Sequence, residues 1–382
     1  MNTRRIEIQW SMVIVFFICI STNGNAQKGS EISQPNVVVI VADDFGWADV
    51  GFQGSKFYET PNLDSLASEG LMFTNGYASC GVCSPSRASL LTGRYTPRSG
   101  VTDWIRGYQA EQTPQQLEEY KLIGPQNTYN LPPEETTLAE VLKQEGYSTC
   151  FVGKWHLGED AAHYPQSQGF DKNVAGWSKG SPSGNRTDNQ SSYTPYNNPY
   201  LTDGAEGEFL TDRLVDESIQ WMNDNKADPF LLYLSFYVVH TPIHPKPEKI
   251  PYYEAKALSM GLDTLIQTSY DVDWITNHPN PKWHWMERLV QGSPEYAALI
   301  ESMDENIGRV LSYLKESGLD ENTIVVFTSD NGGLSTAETS PTSNAPLRGG
   351  KGWLYEGGIR EPLIIKAPGM SAMGEVCDEP VH

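Results

Sequence analysis

Residues 36–46 read Asn-Val-Val-Val-Ile-Val-Ala-Asp-Asp-Phe-Gly, and this stretch sets the fold class. The first seven residues are almost all β-branched or apolar, which is typical of a strand buried on both faces of a parallel sheet. The strand ends in Asp43 and Asp44, at the position where α/β sheets bind ligands. Two adjacent carboxylates are unfavourable unless a positive group holds them, and a hard divalent cation is the simplest such group. The alternative is that Asp44 only caps the following turn.

Further segments show the same pattern of a buried strand that ends in polar side chains. These side chains are Lys154 and His156 after a strand at 149–153, His240 after a strand at 230–236, and Asp330 and Asn331 after a strand at 323–328. Two segments between these strands, 209–222 and 293–317, have apolar residues at helical spacing and are predicted to be helices. Strands that alternate with helices predict an α/β fold with a central, mixed but mostly parallel sheet and helices on both faces. The polar groups should then meet at one edge of the sheet.

Length and charge limit the functional classes. The chain has 382 residues, which is enough for one large α/β domain or for two domains. Its formal net charge of −21 argues against nucleic acid and against anionic lipid as partners. A small anionic substrate is still compatible, because exposed charges beyond a Debye length of about 8 Å are screened and a few cations in a pocket dominate locally.

The first 26 residues have the pattern of a secretory signal peptide. Arg4 and Arg5 precede an apolar run at Met12–Ile20, and small residues at 24–26 provide a cleavage site. The run is far shorter than the about 20 residues that span a bilayer, so no stable membrane insertion is predicted. The alternative is a retained membrane anchor. We expect a secreted or periplasmic protein whose catalytic domain occupies residues 27–382.

The segment Cys80–Arg94 contains the candidate nucleophile, in the order Cys-Gly-Val-Cys-Ser-Pro-Ser-Arg-Ala-Ser-Leu-Leu-Thr-Gly-Arg. Pro85 favours a first helical turn and Gly93 a helix end, which places Cys83 at the N-terminus of a short helix. That position favours negative charge on the side chain, and Arg87 lies one turn further on the same face. A buried structural cysteine is the alternative, as is a redox pair or half of a zinc site formed by the Cys-x-x-Cys spacing.

The segments Cys83-Ser84-Pro85-Ser86-Arg87 and Leu91-Thr92-Gly93-Arg94 resemble the signature of the type I, formylglycine-dependent sulfatases. In that family the cysteine is oxidised to an aldehyde, 3-oxoalanine, and the Leu-Thr-Gly-Arg tail helps a formylglycine-generating maturation enzyme to recognise it. The Asp-Asp pair and the sequence Gly-Lys-Trp-His-Leu-Gly at 153–158 also resemble the family. The resemblance covers about residues 36–368 and implies an arylsulfatase-like enzyme with the alkaline-phosphatase-like fold. The smaller C-terminal subdomain of the family is expected to be missing or incomplete.

The resemblance also implies a role for each polar side chain. The implied calcium ligands are Asp43, Asp44, Asp330 and Asn331 together with the modified Cys83, and the implied catalytic residues are Cys83, Arg87, Lys154, His156, His240 and Lys351. Lys351 lies in a glycine-rich loop that lets its charge approach an anion closely. The implied chemistry is attack on sulfur by the hydrated aldehyde, protonation of the leaving alcohol by His240 or Lys351, and expulsion of sulfate with a base such as His156.

Aromatic residues suggest the substrate. Asp103, Trp104 and Arg106, with an irregular, aromatic-rich insertion at 245–292, are predicted to shape the leaving-group subsite, because Trp rings offer a flat apolar face to a sugar. The predicted substrate is a sulfated polysaccharide or its oligosaccharides, of algal galactan, ulvan or glycosaminoglycan type. Two alternatives are a phosphomonoester or phosphonate ester hydrolase of the same superfold, and a non-catalytic glycan-binding relative, which would lose members of this ionic set.

Overall fold

An eight-stranded sheet forms the centre of the computed structural model, which describes residues 34–105, 125–182, 192–269, 286–336 and 338–382. The strands are β1 Asn36–Ala42, β2 Leu71–Tyr77, β3 Ser148–Gly153, β4 Lys172–Val174, β5 Phe230–Ser235, β6 Thr268–Ser269, β7 Glu287–Arg288, β8 Thr323–Ser329, β9 Arg360–Lys366 and β10 Glu375–Cys377. The helices are α1 Pro61–Glu69, α2 Cys83–Thr92, α3 Thr96–Ser99, α4 Leu138–Gln144, α5 Leu210–Asn225, α6 Ile250–Ser259, α7 Pro294–Glu316 and α8 Glu356–Ile359.

The strand order is β10-β2-β9-β8-β1-β5-β3-β4, and β6 and β7 form a separate pair. Strands β8, β1, β5, β3 and β4 run parallel to one another. In the described part of the chain, β9 is the strand of this sheet that runs antiparallel to its neighbours, β8 and β2. The prediction of a mixed, mostly parallel sheet is therefore confirmed.

Strand β1 is central, and its two faces are buried in two different parts of the core. Val38 and Ile40 pack in the cluster that includes α1, α5 and α7. Val39 and Val41 point to the other face, where α2 and α4 contribute to the second cluster. Alternate residues of a strand face opposite sides, so a run without polar residues fits a strand that helices cover on both faces. Each such buried valine or isoleucine contributes about 1.5–3 kcal/mol to folding.

Some segments are more regular than the sequence predicted. Helix α6 lies inside the stretch at 245–292 that was predicted to be irregular. Its Pro251 is in the first turn, where proline fits a helix because no intrahelical hydrogen bond is lost. Strand β9 begins at Arg360, because Arg360 and Glu361 pair with β2.

Several sequence predictions fall outside the described residues. They are the signal peptide at 1–26, Arg106, and the tryptophans 274, 283 and 285 of the aromatic-rich insertion. Within the described ranges, no helix combines the length and the apolar character that crossing a membrane requires. The four cysteines of the same ranges, Cys80, Cys83, Cys150 and Cys377, form no disulfide bonds.

Candidate active site

The candidate site lies where the parallel strands end. Asp43 and Asp44 follow β1, Lys154 follows β3, and Asp330 and Asn331 follow β8. Because these strands run in the same direction, their carboxyl ends meet at one edge of the sheet. The segment after β5 is tied to this edge by two backbone hydrogen bonds, from Asp43 N to Val238 O at 3.0 Å and from Val239 N to Asp43 O at 2.8 Å. These bonds bring the neighbouring His240 toward the same edge.

Helix α2 begins at Cys83, as the sequence predicted. The Cys83 Sγ atom lies 3.3 Å from Lys154 Nζ, 3.8 Å from Asp43 Oδ1 and 3.9 Å from Asp44 Oδ1. The side chain is buried, and burial raises the pKa of the thiol well above its usual value, although Lys154 acts in the opposite direction. An unmodified Cys83 is therefore a neutral thiol near neutral pH and a weak nucleophile.

Arg87 holds α2 against the strand ends. Its Nε and Nη2 atoms bind Asp330 Oδ2 at 2.8 and 2.7 Å, and Nη2 lies 3.4 Å from Asp43 Oδ1. Its Nη1 atom donates to Lys154 O at 2.8 Å and to Ser235 Oγ at 2.6 Å. The guanidinium group is buried, and Nη2 contacts both carboxylates as an ion pair without a hydrogen bond of good geometry. Arg87 therefore fixes the positions of the carboxylates below Cys83.

Lys154 provides a second buried positive charge. Its Nζ atom lies 2.7 Å from each carboxylate oxygen of Asp43. Burial alone would lower the pKa of Lys154, but Asp43 outweighs that effect and raises the pKa. The residue before it, Gly153, has φ +103° and lies so close to β5 that a Cβ atom would be 1.8 Å from Ser235 O. Position 153, at the end of β3 and directly before Lys154, therefore accommodates only glycine.

The buried oxygen atoms form a group that fits a hard cation. Ligand atoms of Asp43, Asp44, Cys83 and Asp330 all lie within 4.8 Å of one another. Asn331 donates from Nδ2 to Asp44 Oδ1 at 2.8 Å, while its buried Oδ1 atom has no hydrogen-bond partner. Burial raises the pKa of Asp43 well above its usual value despite Lys154, so an ionised Asp43 needs further positive charge. An oxygen-rich set with an unsatisfied amide oxygen suits calcium.

His240 and Lys351 form a hydrogen-bonded pair above Asp44. Lys351 Nζ lies 2.9 Å from Asp44 Oδ2 and 3.2 Å from His240 Nε2. His240 Nδ1 lies 2.6 Å from the carbonyl oxygen of Thr241, so Nδ1 carries the hydrogen and Nε2 of the neutral ring accepts from Lys351. Burial, and then the charge of Lys351, lowers the pKa of His240 to about 4. In this pair Lys351 is the proton donor.

Sequence reasoning did not find Glu338. Its Oε1 atom accepts from Lys351 Nζ at 2.7 Å, and its Oε2 atom accepts from Thr241 Oγ1 and lies 3.7 Å from His240 Nε2. Burial alone would raise the pKa of Glu338, but His240 and Lys351 lower it to about 2, so the side chain is ionised. The surrounding Ser- and Thr-rich sequence carries no motif, so no signal in the chain marked this residue.

His156 also reaches the site. It has φ +55°, its side chain is buried, and its Nδ1 atom has no hydrogen-bond partner. Gly180 packs on the imidazole ring so closely that a Cβ atom there would lie 2.5 Å from His156 Cε1. Burial, and then the charges of Lys154 and Arg87, lowers the pKa of His156 well below its usual value. The ring is therefore neutral.

Above these groups lies a cavity of about 660 Å³. It is lined by Val82, Cys83, Trp104, His156, Gly180, Ser181, His240, Glu338, Lys351, Gly352 and Trp353. Trp104 is 41% exposed and lines the cavity, as the sequence predicted. Asp103 does not line the cavity, and its Oδ1 atom instead accepts a hydrogen bond from Trp104 N at 2.8 Å. Asp103 thus helps to orient Trp104.

A mostly parallel sheet with helices on both faces and polar groups at its carboxyl edge is the arrangement of the alkaline-phosphatase-like α/β fold. A solved phosphonate monoester hydrolase of Agrobacterium radiobacter shares this fold with a TM-score of 0.56 at 20% identity. A family model for sulfatases matches residues 35–381. The chain belongs to the sulfatase family, and the resemblance seen in its sequence is confirmed.

Several relatives support this assignment. The chain is 33% identical to a sulfatase of Formosa agariphila, covering 95% of this chain and 69% of that protein. It is 32% identical to the N-acetylgalactosamine-6-sulfatase of Mus musculus, covering 90% of this chain and 59% of that enzyme. The chain therefore spans about three fifths of the length of the mouse relative. The structure of Ps i-CgsB in complex with k-i-k-neocarrahexaose matches with a TM-score of 0.66 at 28% identity, covering 91% of this chain and 69% of that one.

Proposed function

We propose that this chain hydrolyses sulfate monoesters of carbohydrates, with Cys83 converted to formylglycine and a calcium ion bound beside it. The observation that carries the proposal is the grouping of three carboxylates, the unpartnered Asn331 Oδ1 and the Lys154 ammonium around Cys83, which lines the cavity. Membership of the sulfatase family agrees with this chemistry.

The charge balance of the site favours a divalent cation and an anionic substrate. The site contains four carboxylates, Asp43, Asp44, Asp330 and Glu338, and three cationic side chains, Arg87, Lys154 and Lys351. Both histidines are neutral because their pKa values are lowered. With all four carboxylates ionised, four negative and three positive charges would leave one negative charge, a state that the raised pKa of Asp43 disfavours unless a further positive charge is bound. A divalent cation reverses the balance to one positive charge, which complements the single negative charge of a sulfate monoester.

The proposed groups would supply the parts of the chemistry that ordinary side chains lack. Calcium held by Asp43, Asp44, Asp330 and Asn331, together with the modified residue 83, would polarise the sulfate oxygens. Formylglycine at position 83 would supply a hydrated aldehyde, in which one hydroxyl group would attack sulfur and the other would allow collapse to the aldehyde with release of sulfate. The helix N-terminus at residue 83 and the nearby Lys154 ammonium would stabilise negative charge there.

The remaining side chains divide between proton transfer and positioning. Lys351 Nζ is the proton donor of its pair with His240 and lines the cavity, so it is placed to protonate the leaving oxygen. We propose that His156, whose ring is neutral and whose Nδ1 atom has no hydrogen-bond partner, accepts a proton when sulfate leaves. Arg87 does not line the cavity, and it acts as a positioning residue through Asp43 and Asp330.

The substrate class follows from the walls of the cavity. Trp104 and Trp353 both line it, and aromatic rings suit the apolar face of a sugar. One relative is an N-acetylgalactosamine-6-sulfatase, and another was solved in complex with a neocarrahexaose. We therefore propose a sulfated polysaccharide or its oligosaccharides, of galactan, ulvan or glycosaminoglycan type. We also propose that the protein is secreted or periplasmic and that a formylglycine-generating enzyme activates it.

Release of sulfate and phosphate from matched esters tests the proposal. The chain is produced with a formylglycine-generating enzyme and supplied with para-nitrophenyl sulfate or para-nitrophenyl phosphate and with calcium. We expect sulfate release to be much faster than phosphate release, and Cys83→Ala to abolish it while circular dichroism shows an intact fold. Faster phosphate release would favour the phosphomonoesterase alternative. No release of either ion would favour a glycan-binding protein, and a panel of defined sulfated oligosaccharides then identifies the substrate of an active enzyme.

A further inference from the structure

Glu338 has a position in the cavity that none of the roles above explains. Among the described residues that line the cavity, it is the only carboxylate, and Lys351 is the only ammonium group. The side chain of Glu338 is 35% exposed, while that of Lys351 is 10% exposed. A negative charge therefore stands on the wall of a cavity proposed to receive an anionic ester.

The carboxylate of Glu338 is held in place from both sides. Lys351 Nζ donates to Oε1 at 2.7 Å, and Thr241 Oγ1 donates to Oε2. The ammonium group of Lys351 already occupies the space between Asp44, His240 and Glu338. These three residues could otherwise hold a cation, but Lys351 supplies that positive charge. The charge of Glu338 thus cannot turn away from the cavity without losing two hydrogen bonds.

We propose that Glu338 is a specificity-determining residue, which disfavours esters that carry a second anionic group beside the sulfate and favours leaving groups that present hydroxyls. When Lys351 turns its positive charge to the ester, Glu338 loses part of its neutralisation. A nearby carboxylate or second sulfate is then repelled, whereas a hydroxyl group can donate to the exposed carboxylate oxygen. The apolar rings of Trp104 and Trp353 reduce the water that would screen this repulsion. This inference rests on the proposed sulfatase activity.

A matched pair of aryl sulfates isolates the effect of charge. Meta-carbamoylphenyl sulfate and meta-carboxyphenyl sulfate have nearly the same shape, but only the second carries an extra negative charge. The measured quantity is the ratio of kcat/KM for the neutral substrate to kcat/KM for the charged one. A change that Glu338→Gln causes in proton transfer from Lys351 alters both rates and cancels in the ratio. Glu338→Asp keeps the charge, and Glu134→Gln removes an exposed carboxylate that does not line the cavity.

We expect the wild-type enzyme to prefer the neutral substrate. Glu338→Gln should reduce the preference by about fivefold, the size expected when one partly screened charge repulsion is removed. Glu338→Asp and Glu134→Gln should keep the wild-type ratio. An unchanged ratio in Glu338→Gln, or an equal fall in Glu338→Asp, would overturn the inference. If the wild-type enzyme releases sulfate from neither ester nor from para-nitrophenyl sulfate, the proposed function itself fails.

Discussion

At the scale of single residues, Trp104 is the side chain with the clearest expected effect on substrate choice. It lines the cavity with 41% of its surface exposed, so little of the fold depends on it. Replacement by alanine should lower kcat/KM for sulfated oligosaccharides more than for para-nitrophenyl sulfate, because a sugar ring gains more from a flat apolar face than the small ester does. Kinetics on both substrate classes measure the difference. Equal losses on both would show that Trp104 does not contact the sugar.

At the scale of secondary structure, the junction of β3 and β5 carries Lys154 into the site. Gly153 and Gly146 both have positive φ. A Cβ atom at Gly153 would collide with Ser235 O, whereas a Cβ atom at Gly146 would have no atom within 4 Å. Gly146→Ala should cost about 1–2 kcal/mol of folding free energy from backbone strain alone. Gly153→Ala should cost clearly more and should also lower kcat, because β3 must move away from β5. Urea unfolding and sulfate release measure the two effects, and equal destabilisation of the two variants would contradict this account.

Helices α1 and α7 are joined by Asp304, which gives a pH-dependent prediction. Asp304 Oδ2 accepts from Asn62 N at 3.0 Å and Oδ1 accepts from Leu63 N at 2.9 Å, at the start of α1. Burial raises the pKa of Asp304 from its usual 3.8 to about 6. A raised pKa in the folded state means that the contribution of this group is fully present below the unfolded-state pKa and is lost as pH rises through the folded-state value.

Comparison with Asp304→Asn isolates this contribution. The free energy of unfolding of the wild type should fall relative to the variant, by up to about 3 kcal/mol, as pH rises from about 4 to about 7. Glu316→Gln, an exposed change near the end of the same helix, controls for loss of a negative charge. Urea unfolding at several pH values measures the difference. A difference that stays constant with pH would contradict the prediction.

The sequence predicted strands better than it predicted loops. The bounds of β1 agree with the structure, because an unbroken β-branched run leaves little choice of conformation. The residues at strand ends were also found, since parallel strands bring them to one edge. Glu338 was missed because its partners, Thr241 and Lys351, are defined only by tertiary contacts between two loops. Helix α6 was missed because it is short and Tyr253 is its buried residue, so its sequence shows little of the apolar periodicity that predicts a helix.

At the scale of the whole molecule, the proposed calcium ion should link the strand ends and raise stability. Three buried carboxylates at one edge of the sheet gain most from a bound cation in the folded state. Calcium at 100 times its dissociation constant should stabilise the protein by about 2.7 kcal/mol, and a chelator should remove that gain. Thermal unfolding with calcium and with chelator measures the shift.

Two variants make the calcium prediction specific. Asn331→Ala removes the unpartnered Oδ1 atom and should reduce the calcium-dependent shift in Tm. Asn225→Ala, at the end of α5, should retain the full shift. A calcium effect of the same size in both variants would place the ion elsewhere.

The central claim concerns the chemical state of residue 83, and mass spectrometry of the tryptic fragment Phe57–Arg87 tests it most directly. The same fragment contains Cys80, which serves as an internal unmodified cysteine. In protein that releases sulfate, we predict an aldehyde at residue 83 and a thiol at residue 80, with activity proportional to the aldehyde fraction. Full activity in protein whose residue 83 is entirely an unmodified thiol would contradict the account.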